Sequence, residues 1–88
     1  MRVTVRIPTQ LRGLSGNAAE VQVEAGSVAD ALKALEAAHP GFAERLFDET
    51  GALRRFVNVF LADEDIRFLQ DQQTPLKDGD EISIIPAI

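Results

Sequence analysis

The chain opens with Val3, Val5 and Ile7 alternating with Arg2, Thr4 and Arg6, the period-two pattern of a strand with one buried and one wet face. This predicts a strand over residues 2–7, ended by Pro8, which has no N–H to give to a ladder. Gly13, Gly16 and Asn17 supply turn chemistry. Val21, Val23 and Ala25 then alternate again as the second strand of a hairpin. Beyond Gly26 the period changes: Val28, Ala31, Leu32, Leu35 and Ala38 follow the i, i+3, i+4, i+7 stripe of an amphipathic helix, with Asp30, Lys33 and Glu36 off it. Ser27 can cap this helix, and Asp30 stands where a capping box expects an acid. Pro40-Gly41 stops it, leaving His39 at a C-terminus where the macrodipole favours positive charge. Phe42 and Leu46, four apart, predict a further short turn over residues 42–47.

The second half returns to strand patterning. Residues 55–61, rich in β-branched and aromatic side chains, predict a third strand. Ala62-Asp63-Glu64-Asp65 turns the chain and residues 66–68 predict a short fourth strand. Residues 70–76 are polar with one Pro, Lys77-Asp78-Gly79-Asp80 makes a tight turn, and residues 81–86 form the last strand with Ile82 and Ile84 on one face. One amphipathic helix and a sheet of about five strands can bury their apolar sides only against each other, which defines a two-layer α+β fold. The β-grasp has this element order. In it the first and last strands lie side by side and parallel, joined through the long crossover that parallel pairing demands.

Composition narrows the function classes. At 88 residues the expectation is one domain, residues 1–88, with residues 86–88 starting a flexible C-terminal tail. The chain has no cysteine, which excludes disulfides, thiolate metal sites and thiol nucleophiles. The alternating start does not read as a signal peptide, and no apolar run approaches the ~20 residues of a membrane span. A cytoplasmic location with no membrane contact is therefore expected. Fourteen acidic against nine basic residues give a net charge of −5. That disfavours nucleic acid, whose affinity rests on Lys and Arg at phosphates, and makes a basic protein surface the expected electrostatic complement.

No enzyme constellation stands out. One histidine cannot form a His-rich metal site, there is no phosphate-cradling GxxxxGK[ST] run, and Gly13 and Gly16 read as turn residues. Asp63-Glu64-Asp65 reads as a solvated turn, Arg54-Arg55 as a solvated strand entry, and His39 lacks the orienting partner a general base needs. The outer face of the sheet is more informative. If Val57, Val59 and Leu61 face the core, then Phe56, Asn58 and Phe60 face away from it. Ile85, next to the buried Ile84, points out as well. Such a patch reads either as a contact surface or as a face that packs under residues 70–76.

The ending LKDGDEISIIPAI, from Leu76 to Ile88, resembles the sulfur carriers of the MoaD/ThiS type. In them a Leu-x-Asp-Gly-Asp turn leads into a last strand that runs out through a Pro into a tail ending Gly-Gly. Leu76, Asp78, Gly79, Asp80 and Pro86 match. The resemblance extends to RIPTQLRGLSG (Arg6 to Gly16) and RFVNVFLADEDIRF (Arg55 to Phe68), the latter closest to the CysO branch of cysteine biosynthesis. The resemblance implies a ubiquitin-like β-grasp carrier, not an enzyme, that binds no cofactor itself. An E1-like enzyme uses ATP to adenylate the C-terminus, and sulfur displaces AMP to leave a thiocarboxylate.

The implied partners are that activating enzyme and a PLP-dependent cysteine synthase or another sulfur-accepting synthase, with a metalloprotease to process the tail. The implied tail residues are Pro86, Ala87 and Ile88, and Phe56, Phe60 and Ile85 are the expected docking residues. Two other roles stay open: the small subunit of a molybdopterin synthase, and a ubiquitin-like modifier or interaction module that moves no sulfur. The sequence stops at Ile88 without the glycine pair; either the gene runs on through the Ala and two glycines that the resemblance implies, which is the favoured reading, or this version cannot be charged with sulfur. Glycine suits a narrow channel because it lacks a Cβ, whereas the β-branched Ile88 would obstruct entry.

Overall fold

The computed structural model describes residues 1–86. Its strands are β1 (Arg2–Arg6), β2 (Glu20–Glu24), β3 (Val57–Leu61), β4 (Glu64–Asp65) and β5 (Glu81–Pro86), and its helices are α1 (Val28–Ala38) and α2 (Phe42–Leu46). They form one mixed sheet of order β2-β1-β5-β3-β4. β1 and β2 pair antiparallel, β1 and β5 run parallel at the centre, and β3 is antiparallel to β5. This is the β-grasp, a mixed five-stranded sheet packed on a helix, as the pattern predicts.

The alternation sets the core. Val3, Val5, Val23, Val57, Val59, Ile82 and Ile84 turn one face of the sheet inward to meet Val28, Ala31, Leu32 and Leu35 of α1. Each such side chain buried contributes roughly 1.5–3 kcal/mol. Ser27 caps α1, its hydroxyl accepting from the Asp30 N–H at 3.2 Å. The Glu36 carboxylate accepts from the N–H groups of Gly41 and Ala43, the latter at 2.7 Å, and so satisfies donors at the start of α2. Gly41 has φ +115°, and a Cβ there would stand 3.0 Å from Leu14 Cδ2. Phe42 and Leu46 of α2 are fully buried.

The Lys77-Asp78-Gly79-Asp80 turn staples β5 to β1. The Arg2 N–H donates to the Asp78 carboxylate at 2.8 Å, the Gly79 N–H to the Arg2 carbonyl at 2.8 Å, and the Thr4 N–H to the Asp80 carbonyl at 2.9 Å. Asp80 also accepts from the Lys77 N–H at 2.7 Å, while Gly79 holds φ +88°, a conformation that favours glycine. The acidic turn of the sequence motif is therefore the device that opens the central parallel pair.

Three expectations need correction. The link between β1 and β2 is more than a turn: Thr9–Ser15 form a 3-10 helix that buries Leu11 and Ser15, and only Gly16 and Asn17 adopt left-handed angles. Residues 66–68 are not a strand. β4 lasts two residues, and Ile66–Phe68 form a 3-10 turn because Ile66 is drawn into the core while the Asp65 carboxylate accepts from the Arg67 N–H at 2.9 Å. Residues 70–76 do not cover the outer face of the sheet. They lie on the helix layer, with Leu76 N–H donating to Gly26 and Val28 N–H to Thr74. No helix among the described residues is long and apolar enough to cross a membrane.

Since β4 is so short, the start of β3 has no strand on its outer edge. Arg67 covers it. Its guanidinium donates to the Val57 carbonyl at 2.7 Å, to Asn58 Oδ1 at 2.7 Å and to the Arg54 carbonyl at 3.2 Å, so a side chain stands in for the missing ladder and blunts an exposed edge. Arg67→Ala is expected to lower the unfolding free energy by about 1–2 kcal/mol in urea melts. Arg67→Lys should recover little of it, because an ammonium cannot reproduce a planar fork; full recovery with Lys would refute the clamp.

Candidate functional site

Among the described residues β5 ends at Pro86. Pro86, paired with Val57, is half-buried. Ala87 and Ile88, the other two expected tail residues, lie outside the described residues. On the outer face, Ile85 stands opposite Asn58 in register, with Phe60, two positions on in β3, its diagonal neighbour, whereas Arg55 and Phe56, expected in the strand, lie in the turn closed by the Val57 N–H on the Arg54 carbonyl at 2.9 Å. Phe56 is 52% exposed and Ile85 46%, and Phe60 is half-buried. The structure thus places Phe60 and Ile85 side by side on the outer face, while Phe56 lines a groove at Pro86 with Leu11 and Arg45. Asn58, held by Arg67, is the polar member of that face.

Two open grooves meet at Pro86. One runs between β5 and the segment after β1, lined by Arg6, Ile7, Thr9, Arg12, Ile85 and Pro86 among others. The second lies between α2 and the start of β3, lined by Leu11, Glu44, Arg45, Arg54, Phe56, Val57 and Pro86. Four arginines from four chain segments therefore surround the exit on a molecule of net charge −5. Sequence reasoning overlooked Arg6, Arg12 and Arg45 and read Arg54 as a solvated strand entry. No local spacing marks them, since only folding gathers them.

Beside the second groove, Asp48 accepts from the Thr50 hydroxyl at 2.6 Å and from the Thr50 N–H at 2.8 Å. The Thr50 hydroxyl bond comes first and the Thr50 N–H second in holding the Asp48 carboxyl below its ordinary value, with smaller help from the Ala52 N–H and the Arg54 charge against slight desolvation. Because the folded state depresses this pKa, the stabilisation is present above the ordinary value of 3.8 and is lost as pH falls through the folded value. A carboxyl-detected NMR titration should place the Asp48 midpoint below 3.8, and Thr50→Val should raise it; an unchanged midpoint in the variant would refute the assignment.

The exposed strip and the core are neighbours in sequence but not in energy. Ile84→Ala, at a side chain 2% exposed, should cost about 2–5 kcal/mol in unfolding free energy. Ile85→Ser should stay within about 0.5 kcal/mol. Comparable losses from both would mean that the outer face is covered.

Comparison with known proteins places this geometry in a class. The ThiS family matches residues 5–88, and the chain belongs to that family. It is 41% identical to the sulfur carrier protein CysO of Mycobacterium tuberculosis over 90 residues, covering 100% of this chain and 97% of the relative. Crystallised CysO of that organism superposes with a TM-score of 0.92, at 41% identity over 98% of this chain and 99% of the other. CysO in the BexX/CysO complex of Amycolatopsis orientalis gives 0.93 at 40% identity, over 98% and 96% of the two chains. The small archaeal modifier protein 1 of H. volcanii follows with 0.85 at 27% identity, over 99% and 98%. The protein is thus a ubiquitin-like homologue of the CysO sulfur carriers.

Proposed function

We propose that this protein is a sulfur carrier whose C-terminal carboxyl group is activated and converted to a thiocarboxylate for cysteine or another thiolated metabolite. The observation that carries the reading is the way β5 ends: its start is stapled to β1 by the Asp78-Gly79-Asp80 turn, and its end reaches Pro86 at the meeting of two open grooves. The strand that leads to the tail is held by hydrogen bonds at its start, and its last described residue lies at the surface. Family membership and full-length similarity to a sulfur carrier support the same role.

The carrier needs no reactive side chain for this task. An E1-like enzyme would supply ATP: the terminal carboxylate attacks the α-phosphorus and pyrophosphate leaves. Sulfide then attacks the acyl carbon, AMP leaves with the electron pair of the broken acyl–phosphate bond, and a carbonyl thiolate remains. The body contributes an address, the Phe56, Phe60 and Ile85 strip, which buries apolar area on docking. A leash completes it, because each residue past Pro86 extends the reach by at most ~3.3–3.6 Å. A PLP-dependent synthase is the proposed acceptor, and the complex of the related CysO with BexX supports the idea that the fold is read by partner proteins.

The test is to incubate the full gene product with ATP, sulfide and the activating enzyme and to measure its intact mass. A gain corresponding to sulfur in place of oxygen, reversed when the acceptor synthase and its substrate are added, is expected. No gain would overturn sulfur transfer, and isopeptide-linked adducts on other proteins would assign the carrier to protein modification instead.

A further inference from the structure

The charge on this molecule is polarised along β5. At the end where β5 begins, in the turns that join β3 to β4 and lead into β5, the acids Asp63, Glu64, Asp78, Asp80 and Glu81 outnumber the bases Arg2 and Lys77. At the other end, where β5 finishes, the two grooves at Pro86 are lined by Arg6, Arg12, Arg45 and Arg54 against Glu44, while Asp48 and Glu49 share an adjoining groove with Arg45 and Arg54. Not all four are equally free. Arg6 pairs with Glu20 at 3.6 Å and Glu81 at 3.5 Å, and Arg54 feels Asp48. Arg12 and Arg45, one on each side of the exit, have no carboxylate within 4.0 Å among the described residues.

Two of these side chains are also braced. Arg12 Nε donates to the Ile7 carbonyl at 3.2 Å and Arg54 Nε to the Glu44 carbonyl at 3.2 Å, which fixes each stem and leaves the terminal nitrogens for a partner. A braced side chain loses less freedom on docking. Arg6 and Arg12 line one groove at Pro86 and Arg45 and Arg54 the other, a division that suits an extended rim and not a single small anion.

The geometry points to a basic collar at the base of the tail that docks on a carboxylate-rimmed channel mouth in the tail-accepting enzyme. This deepens the sulfur-carrier reading and rests on it. The collar works where the tail begins, whereas the carboxyl to be activated lies further along the chain, so the collar meets protein at the channel entrance while chemistry proceeds inside. It also reverses the sign that net charge alone implies for the partner: the whole chain is acidic, but the end that must enter first is basic. A partner with an acidic mouth is met by the correct end, and the acidic end is repelled, so the charge dipole orients the encounter.

The test uses the full gene product and the activating enzyme. Arg12→Glu/Arg45→Glu is compared with Lys33→Glu/Lys77→Glu, remote from the exit. Both variants move the net charge from −5 to −9, two units per substitution. Folding is checked by circular dichroism and urea melts, with Arg12→Gln/Arg45→Gln as the milder pair should the first fail to fold. The collar predicts that the arginine pair raises the carrier KM by about tenfold or more at low salt with kcat within about twofold, and that the gap to wild type closes as ionic strength rises. The lysine pair should stay near wild type. Equal effects from the two pairs would overturn the collar, and so would a shift in the KM for ATP alone, which would assign the guanidiniums to nucleotide phosphates. Fluorescence anisotropy of binding to the enzyme without ATP reads the collar separately from turnover. Wild type that binds in an arginine-dependent way but gains no sulfur would overturn the sulfur reading and leave the collar standing.

Discussion

The parallel pairing of β1 with β5 at the centre of the sheet is the constraint on which the rest depends. Parallel neighbours cannot be joined by a tight hairpin, so nearly the whole chain must be spent between them, and α1, α2, β3 and β4 all lie in that excursion. The pair must also be started without a hairpin turn to hold it. Asp78, Gly79 and Asp80 do this by bonding to the first residues of β1. What looks in the sequence like an acidic loop is the clasp that closes the fold.

The consequence for function is an asymmetry between the two ends of β5. Its start is fastened on all sides, and its middle is flanked by β1 and β3 with Ile82 and Ile84 in the core. At its end only the pairing of Val57 with Pro86 remains, between open grooves. A tail can be handed to another protein from such a strand without disturbing the core, because the buried apolar area lies upstream of the exit. The same geometry holds the edge beside the outer face: Asn58 and Val57 are bonded by Arg67 where β3, which carries Phe60 next to Ile85, has no strand beside it.

Where local pattern and tertiary packing agree, the elements were legible. β1, β2, α1, β3 and β5 each carry a clean period of two or 3.6, and burial follows it through their middles, with Ile84 inside and Ile85 outside and Val57 inside and Asn58 half-buried, but not at the ends of α1 and β3, where Ala38 is exposed and Leu61 only half-buried. The disagreements fall where one residue answers to a distant partner. Ile66 is apolar in a short run that suits a strand, yet the core takes it as an isolated anchor and the chain coils around it. Thr9–Ser15 carry three turn-like residues nearby, but Leu11 and Ser15 are pulled inward and wind the segment into a 3-10 helix. Residues 70–76 were compatible with either layer. Thr74 decided for the helix side, its hydroxyl donating to Asp71 and its carbonyl accepting from Val28.

By itself the sequence determined the fold class, the order of the elements and the identity of the buried face, because those follow from the spacing of apolar residues along the chain. It also determined the family, through a terminal turn and strand whose residues are contiguous. The surroundings of the tail were decided only in three dimensions. Arg6, Arg12, Arg45 and Arg54 are scattered over nearly fifty positions and share no spacing, and Arg67 reaches back across a turn to replace a strand. Periodicity records which side of its own element a residue faces. Which residues from separate elements meet depends on how those elements pack, and here the packing gathers four arginines around Pro86 on an acidic molecule.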